Sequence, residues 1–160
     1  MAIYNRIFGG QTPEGQALPG QDVLAHIGPR LQAQIEITTA LAELLTRNGE
    51  QLPNPVTGWA LIDTGASRSC IDTGRIQGLN LNPVGVVDVT TANGPTRQEV
   101  FQARLVIPQS TITAEGAFIG ADLTGQDVNN QPLIALIGRD LLRNWHLVYN
   151  GTLGVITISL

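Results

Sequence analysis

"ALIDTGASRSCIDTG", residues 60–74, contains the triplet Asp-Thr-Gly twice, as Asp63-Thr64-Gly65 and Asp72-Thr73-Gly74. The two copies have different surroundings. The apolar run "WALI", 59–62, leads straight into Asp63. A carboxylate at the end of a buried strand must be hydrogen-bonded, because burying it bare is costly. Thr64 offers a hydroxyl, Gly65 an unobstructed amide, and Ala66 and Ser67 are small. This is the composition of a tight turn that aims a carboxylate into a cleft while backbone amides hold it. Asp72 instead follows the polar stretch "SRSC" with Ile71 alone before it, and Arg75 comes just after Gly74. That copy reads as a turn or capping aspartate at the surface. The repeat is then an accident, and the chain carries one strand-borne carboxylate of the first kind.

Two such carboxylates about 3 Å apart cannot both ionise and therefore share a proton. One can take a proton from water while the other donates to a carbonyl. One chain supplies only half of that pair.

The rest of the sequence sets the frame. A chain of 160 residues and 17.0 kDa has the size of one domain with its own core. Charged residues are only 14% and aromatic residues 4%, while 18 Gly and 9 Pro are spread along the chain, which favours a loop-rich β protein over a helical bundle. Net charge is −4, and the nine basic residues are all scattered arginines, so no nucleic-acid-binding stripe is expected. The start, "MAIYNRIFGGQTPEG", lacks a basic n-region and a long apolar run, and no stretch reaches membrane-span length. Cys70 is the only cysteine, which excludes an internal disulfide and a cysteine zinc cluster. Together these features favour a soluble protein of a reducing compartment, the cytoplasm, with no membrane partner.

Residues 1–29 read as an irregular lead-in and 30–160 as a single domain. "RLQAQIEI", 30–37, alternates apolar and polar residues as a half-buried strand does. "TTALAELLTRNG" has Thr38 or Thr39 to cap a helix and Gly49 to end it. Residues 83–91 and 99–107 form a predicted hairpin over "TANGPT", with Asn93-Gly94 at its tip. "TITAEGAFIGADL" reads as a glycine-interrupted strand, "LIALIG" as a fully apolar one, and "RDLLRN" as one or two helical turns. "WHLVYNGTLGVITISL" closes the chain as a hairpin over Asn150-Gly151. About seven strands at short spacing with one or two short helices predict an all-β fold, a closed or partly closed antiparallel β-barrel.

"WALIDTGAS" resembles the active-site motif of aspartic proteases, and "LIALIGRDLL" resembles the second signature of their retroviral-type, or retropepsin-like, branch. The two stand in the family's order with a hairpin between them, and the likeness spans roughly Arg30 to Leu160. It is closest to single-domain bacterial-type members. The resemblance implies a retropepsin-like barrel, peptide-bond hydrolysis, and action as a homodimer with one aspartate from each subunit and no cofactor or metal. Carried over residue by residue, it implies that Asp63 is catalytic and that the Thr64 hydroxyl braces the opposite loop across the dimer axis. It implies too that Gly65 and Ala66 lie along the substrate, that Ala92, Asn93 and Gly94 form the tip of a flap, and that Gly138 and Arg139 are structural. The chain departs from the family in having Ser67 and Arg68 where retroviral enzymes carry acidic residues, one of which pairs with the signature arginine. The partner of Arg139 is therefore open. The helix near 39–48 looks like an insertion, and one tip glycine followed by Pro95 would make the flap stiffer.

Other candidates read as packing or turns. His146 has no companion ligands, and Cys70 and Ser67 have no base beside them in sequence. Asp122 and Asp127 lack calcium-loop spacing. Two functions follow from the resemblance: an aspartic endopeptidase acting on peptide or protein substrates, or a catalytically weak or inactive homodimer of the same fold that binds peptides. The intact Asp-Thr-Gly favours the first, since a binder gains nothing from a like-charge pair in its cleft.

Overall fold

A computed structural model describes residues 2–91, 94–108 and 110–160. In chain order the elements begin with β1 (Ile3–Ile7), β2 (Gly10–Gln11), β3 (Ala17–Leu18), α1 (Gly20–Ile27), β4 (Arg30–Glu36) and α2 (Thr39–Arg47). Next come β5 (Val56–Ile62), β6 (Cys70–Asp72), a 3-10 turn (Arg75–Leu79), β7 (Pro83–Thr91), β8 (Gly94–Val106) and β9 (Thr113–Ala121). The chain ends with β10 (Leu133–Ile137), α3 (Arg139–Leu142), β11 (His146–Asn150) and β12 (Val155–Ser159).

The main sheet runs in the order β4-β5-β10-β6-β9-β8-β7 and is closed by a pairing of β4 with β8. Strand β8 makes this ring possible because it is long. Its Arg104–Val106 end pairs with Glu36–Gln34 of β4, and its Gly94–Phe101 part pairs with β7. The β7–β8 hairpin therefore projects from a ring of six strands. The structure is mostly β, as expected, but the ring is not wholly antiparallel: β10 runs parallel to β5, and β6 parallel to β9. Both pairs join strands far apart in sequence, as the long crossover of a parallel connection requires. Sequence spacing displays hairpins and hides such crossovers.

Alternation fills the ring. Leu31, Ala33 and Ile35 of β4 turn inward, and Ala103 and Leu105 of β8 meet them across the core. The run "LIALI" lacks alternation because β10 is covered on both faces. Ile134, Ala135 and Ile137 enter the main core, while Leu133 and Leu136 join a smaller cluster with Trp59, Cys70, Ile119 and Leu123. Helix α2 forms as predicted, with the Thr38 hydroxyl accepting from the Leu41 amide at 3.3 Å.

The described part of 1–29, residues 2–29, is not the irregular lead-in that its Gly- and Pro-rich middle predicts. Strand β1 pairs with β12 from Ile3↔Ser159 to Ile7↔Val155, and α1 packs Leu24 fully inside. Tyr4 and Phe8 join the same core, and Arg6 stacks between the rings of Phe8 and Trp59, 4.8 and 4.4 Å from their centroids. A five-residue strand with one aromatic anchor, Tyr4, and a second, Phe8, just after it is ordered by partners at the far end of the chain, and no local pattern announces that. In this second sheet, of order β1-β12-β11, both edges of the C-terminal strand are occupied. Neither edge of "GVITISL" is left open for another strand. No helix among the described residues is long and apolar enough to cross a membrane.

Candidate active site

Asp63 is the first residue after β5, and its amide donates to the Ile137 carbonyl at 2.9 Å, so the parallel β5–β10 pairing fixes where the loop starts. The Asp63 Oδ1 accepts from the amides of Gly65 at 2.9 Å and Ala66 at 3.2 Å. Its Oδ2 has no hydrogen-bond partner among the described residues. One carboxylate oxygen is thus held by backbone amides of the turn that the small residues after Asp63 predict.

The segment after β10 grips this loop. The Arg139 amide donates to the Ala66 carbonyl at 3.0 Å, and one guanidinium nitrogen donates to the carbonyls of Thr64 and Gly65, both at 2.8 Å. The question left by the missing acidic residues is answered: Arg139 binds backbone carbonyls of the Asp63 loop. Gly138 is required by close approach, because a Cβ there would lie 2.6 Å from the Arg68 carbonyl carbon. Two further residues, Ser69 and Asp140, were not singled out from the sequence. The Asp140 carboxylate accepts from the Ser69 amide at 2.9 Å and hydroxyl at 2.7 Å, and the Ser69 hydroxyl accepts from the Gly138 amide at 2.9 Å. An acid directly after Gly-Arg was the available signal for this lock.

The second triplet also ends a strand. Asp72 is the last residue of β6, only 1% exposed, and therefore not at the surface as its polar neighbours imply. Its Oδ1 accepts from the Arg75 amide at 2.8 Å and its Oδ2 from the Leu123 amide at 2.7 Å. It is a capping residue, as expected, but a buried one, with both oxygens engaged.

Asp63, Gly65 and Ala66 line a cavity of about 400 Å3 together with Val89, Thr90 and Gln98 of the projecting hairpin. Its floor comes from the smaller core cluster through Cys70, Ile119 and Leu136. Thr64 is exposed beside it, and its hydroxyl has no partner among the described residues. Ala92 and Asn93 lie outside the described residues; Gly94 has φ 107° and pairs with Thr91 in the hairpin. Burial, with the negative charges of Asp63, Asp72 and Asp140 adding to it, pushes the Cys70 thiol from 9.0 up to about 11, against one backbone hydrogen bond that lowers it. Cys70 is thus a neutral wall residue. A larger cleft of about 790 Å3 lies between α2 and residues 52–55, but its Glu36 and Arg104 are already paired with each other. Asp122 accepts from the amide and hydroxyl of Thr124, and Asp127 pairs with Arg75 at 3.7 Å. His146 is exposed on β11.

The sequence model of the aspartyl protease family matches residues 45–107, under half of the chain. The matched part holds Asp63-Thr64-Gly65 and the β7–β8 hairpin. Among solved structures, the retropepsin-like aspartic protease from Rickettsia conorii is 14% identical, with 98% of this chain and 90% of that one covered and a TM-score of 0.46. EIAV protease complexed with the inhibitor HBY-793 is 16% identical, covering 72% and 86%, with a TM-score of 0.46. Simian foamy virus (mac) protease is 14% identical, covering 72% and 92%, with a TM-score of 0.43. No curated protein matches the chain. The aspartyl protease family match falls on the first of the two signatures read from the sequence.

Proposed function

We propose that the protein is an aspartic endopeptidase active as a homodimer, with a shared site made of two Asp63 carboxylates. The observation that carries this reading is the state of Asp63: Oδ1 is fixed by two backbone amides while Oδ2 has no partner among the described residues, in a cavity walled by an apolar floor and a projecting hairpin. A second copy is needed because one carboxylate cannot act as both base and acid. In the shared site, the ionised member takes a proton from water as the water oxygen bonds to the peptide carbonyl carbon. The protonated member donates to the carbonyl oxygen. Collapse of the tetrahedral species breaks the C–N bond, and a proton passes to the leaving amine. The exposed Thr64 hydroxyl is supplied for the opposite loop, and the β7–β8 hairpin for covering the bound peptide.

The test is hydrolysis of a mixed peptide library by wild type and Asp63→Asn. Cleavage is expected in wild type and absent in the variant, because an amide cannot share the dyad proton. Peptide binding without cleavage by the wild type would instead establish the binding-module reading. Loss of cleavage on adding a chelator would contradict the carboxylate mechanism.

A further inference from the structure

We propose that Arg68 makes the site selective for peptides carrying an acidic side chain close to the scissile bond. This rests on the endopeptidase reading and adds a substrate class to it. Arg68 lines the same cavity as Asp63 and is exposed. Most other arginines are engaged: Arg75, Arg97 and Arg104 with carboxylates, Arg30 and Arg139 with backbone carbonyls, and Arg6 with two aromatic rings. Arg68 has no hydrogen bond or ion pair among the described residues. The residues outside that description, Met1, Ala92, Asn93 and Gln109, carry no side-chain carboxylate that could serve it.

The base of this side chain is fixed even though its head is free. Its carbonyl is packed against Gly138, where a Cβ would approach the Arg68 oxygen to 2.8 Å. The next residue, Ser69, is locked by Asp140 through both amide and hydroxyl. A guanidinium on an anchored base, beside a cleft, loses less entropy on pairing than one on a loose loop. A peptide lying across Asp63 would press an apolar side chain onto Cys70, Ile119 and Leu136. A neighbouring carboxylate of that peptide would then be within reach of Arg68, in the planar two-oxygen pairing that guanidinium favours.

The experiment uses decapeptides with Leu-Leu at the centre and Glu, Gln or Lys placed in turn at each flanking position. For wild type, kcat/KM at the best position should be about three- to fivefold higher for Glu than for Gln, the range of an exposed ion pair, and the gap should shrink with added salt. Arg68→Gln should bring the ratio to about one, and Arg68→Glu should invert it in favour of Lys. A wild type that cleaves but shows no Glu preference overturns the proposal and leaves the endopeptidase reading intact. So does a preference that survives in Arg68→Gln. If nothing is cleaved, the endopeptidase reading fails, and fluorescence anisotropy with the same peptides decides Arg68 alone. A Glu-over-Gln binding preference lost in Arg68→Gln supports it; equal binding, or none, overturns it.

Discussion

The guanidinium of Arg139 donates to the carbonyl oxygen of Thr64 over 2.8 Å, 75 positions away in sequence, and the same nitrogen serves Gly65. The cation thus holds the outer side of a turn whose inner side is held by the Asp63 carboxylate.

Removing that grip should loosen the turn without dissolving the fold. Arg139→Ala is expected to cost about 1–2 kcal/mol, the scale of hydrogen bonds from a charged donor at a partly solvated site. Urea unfolding measures it. Peptide cleavage should fall in parallel, since Asp63 depends on the turn for its aim, and Arg139→Lys should recover part of both. A variant with unchanged stability and activity would show that the amide bonds to Asp63 suffice.

The two Asp-Thr-Gly triplets should separate under the same substitution. In Asp72→Asn, the side-chain NH2 must face one of two amide donors, the part-buried Arg75 or the buried Leu123, which both lose a charged acceptor. A loss of about 2–4 kcal/mol is expected. In Asp63→Asn, the carbonyl oxygen can still accept from Gly65 and Ala66, so the unfolding midpoint should barely move while cleavage disappears. Equal stability losses in both variants would contradict this division.

That division marks how far the sequence could be read. Asp63 was legible because a buried strand, a short polar turn and two small residues are all local. Arg139 and Gly138 were legible as a signature, but their partners were not. Arg139 answers to carbonyls at 64 and 65, and Gly138 to the backbone at 68. The burial of Asp72 depends on Leu123 arriving from 51 residues away, and β1 depends on β12 at the other end of the chain. Pattern within a window sees periodicity and turn chemistry; it does not see which distant strand will cover a polar residue.

Cys70 gives a pH-dependent test of the cavity floor. Its thiol titrates near 11 instead of 9.0, so the folded protein holds the proton more firmly than the unfolded chain. The stability this contributes is present below pH 9 and is lost as pH rises through about 11. Unfolding midpoints measured across that window should decline more steeply for wild type than for Cys70→Ala. At neutral pH, iodoacetamide should label Cys70 slowly until denaturant is added, and thiol reagents should leave cleavage intact. Rapid labelling of the folded protein would mean that the floor opens to solvent.

The active unit should be a two-fold dimer, because each chain provides one Asp63 and the proposed chemistry needs two. The interface cannot be formed by adding a strand to β12, whose two edges are already taken by β1 and β11. The outer edges of β1 and β11, which pair with no strand among the described residues, and the exposed Thr64 loops are surfaces available to it. Subunit mixing tests the shared site without presuming which. Wild type is combined with an equal amount of Asp63→Asn and allowed to exchange. With random, tight pairing, half of the dimers are mixed and a quarter are fully wild type. Activity should then fall to about half of that of the wild-type protein alone. A monomeric enzyme, or a dimer with two independent sites, would keep its full activity. A fall to half with Asp63→Asn, but none with an equally stable surface variant added in the same amount, would place both carboxylates in one site.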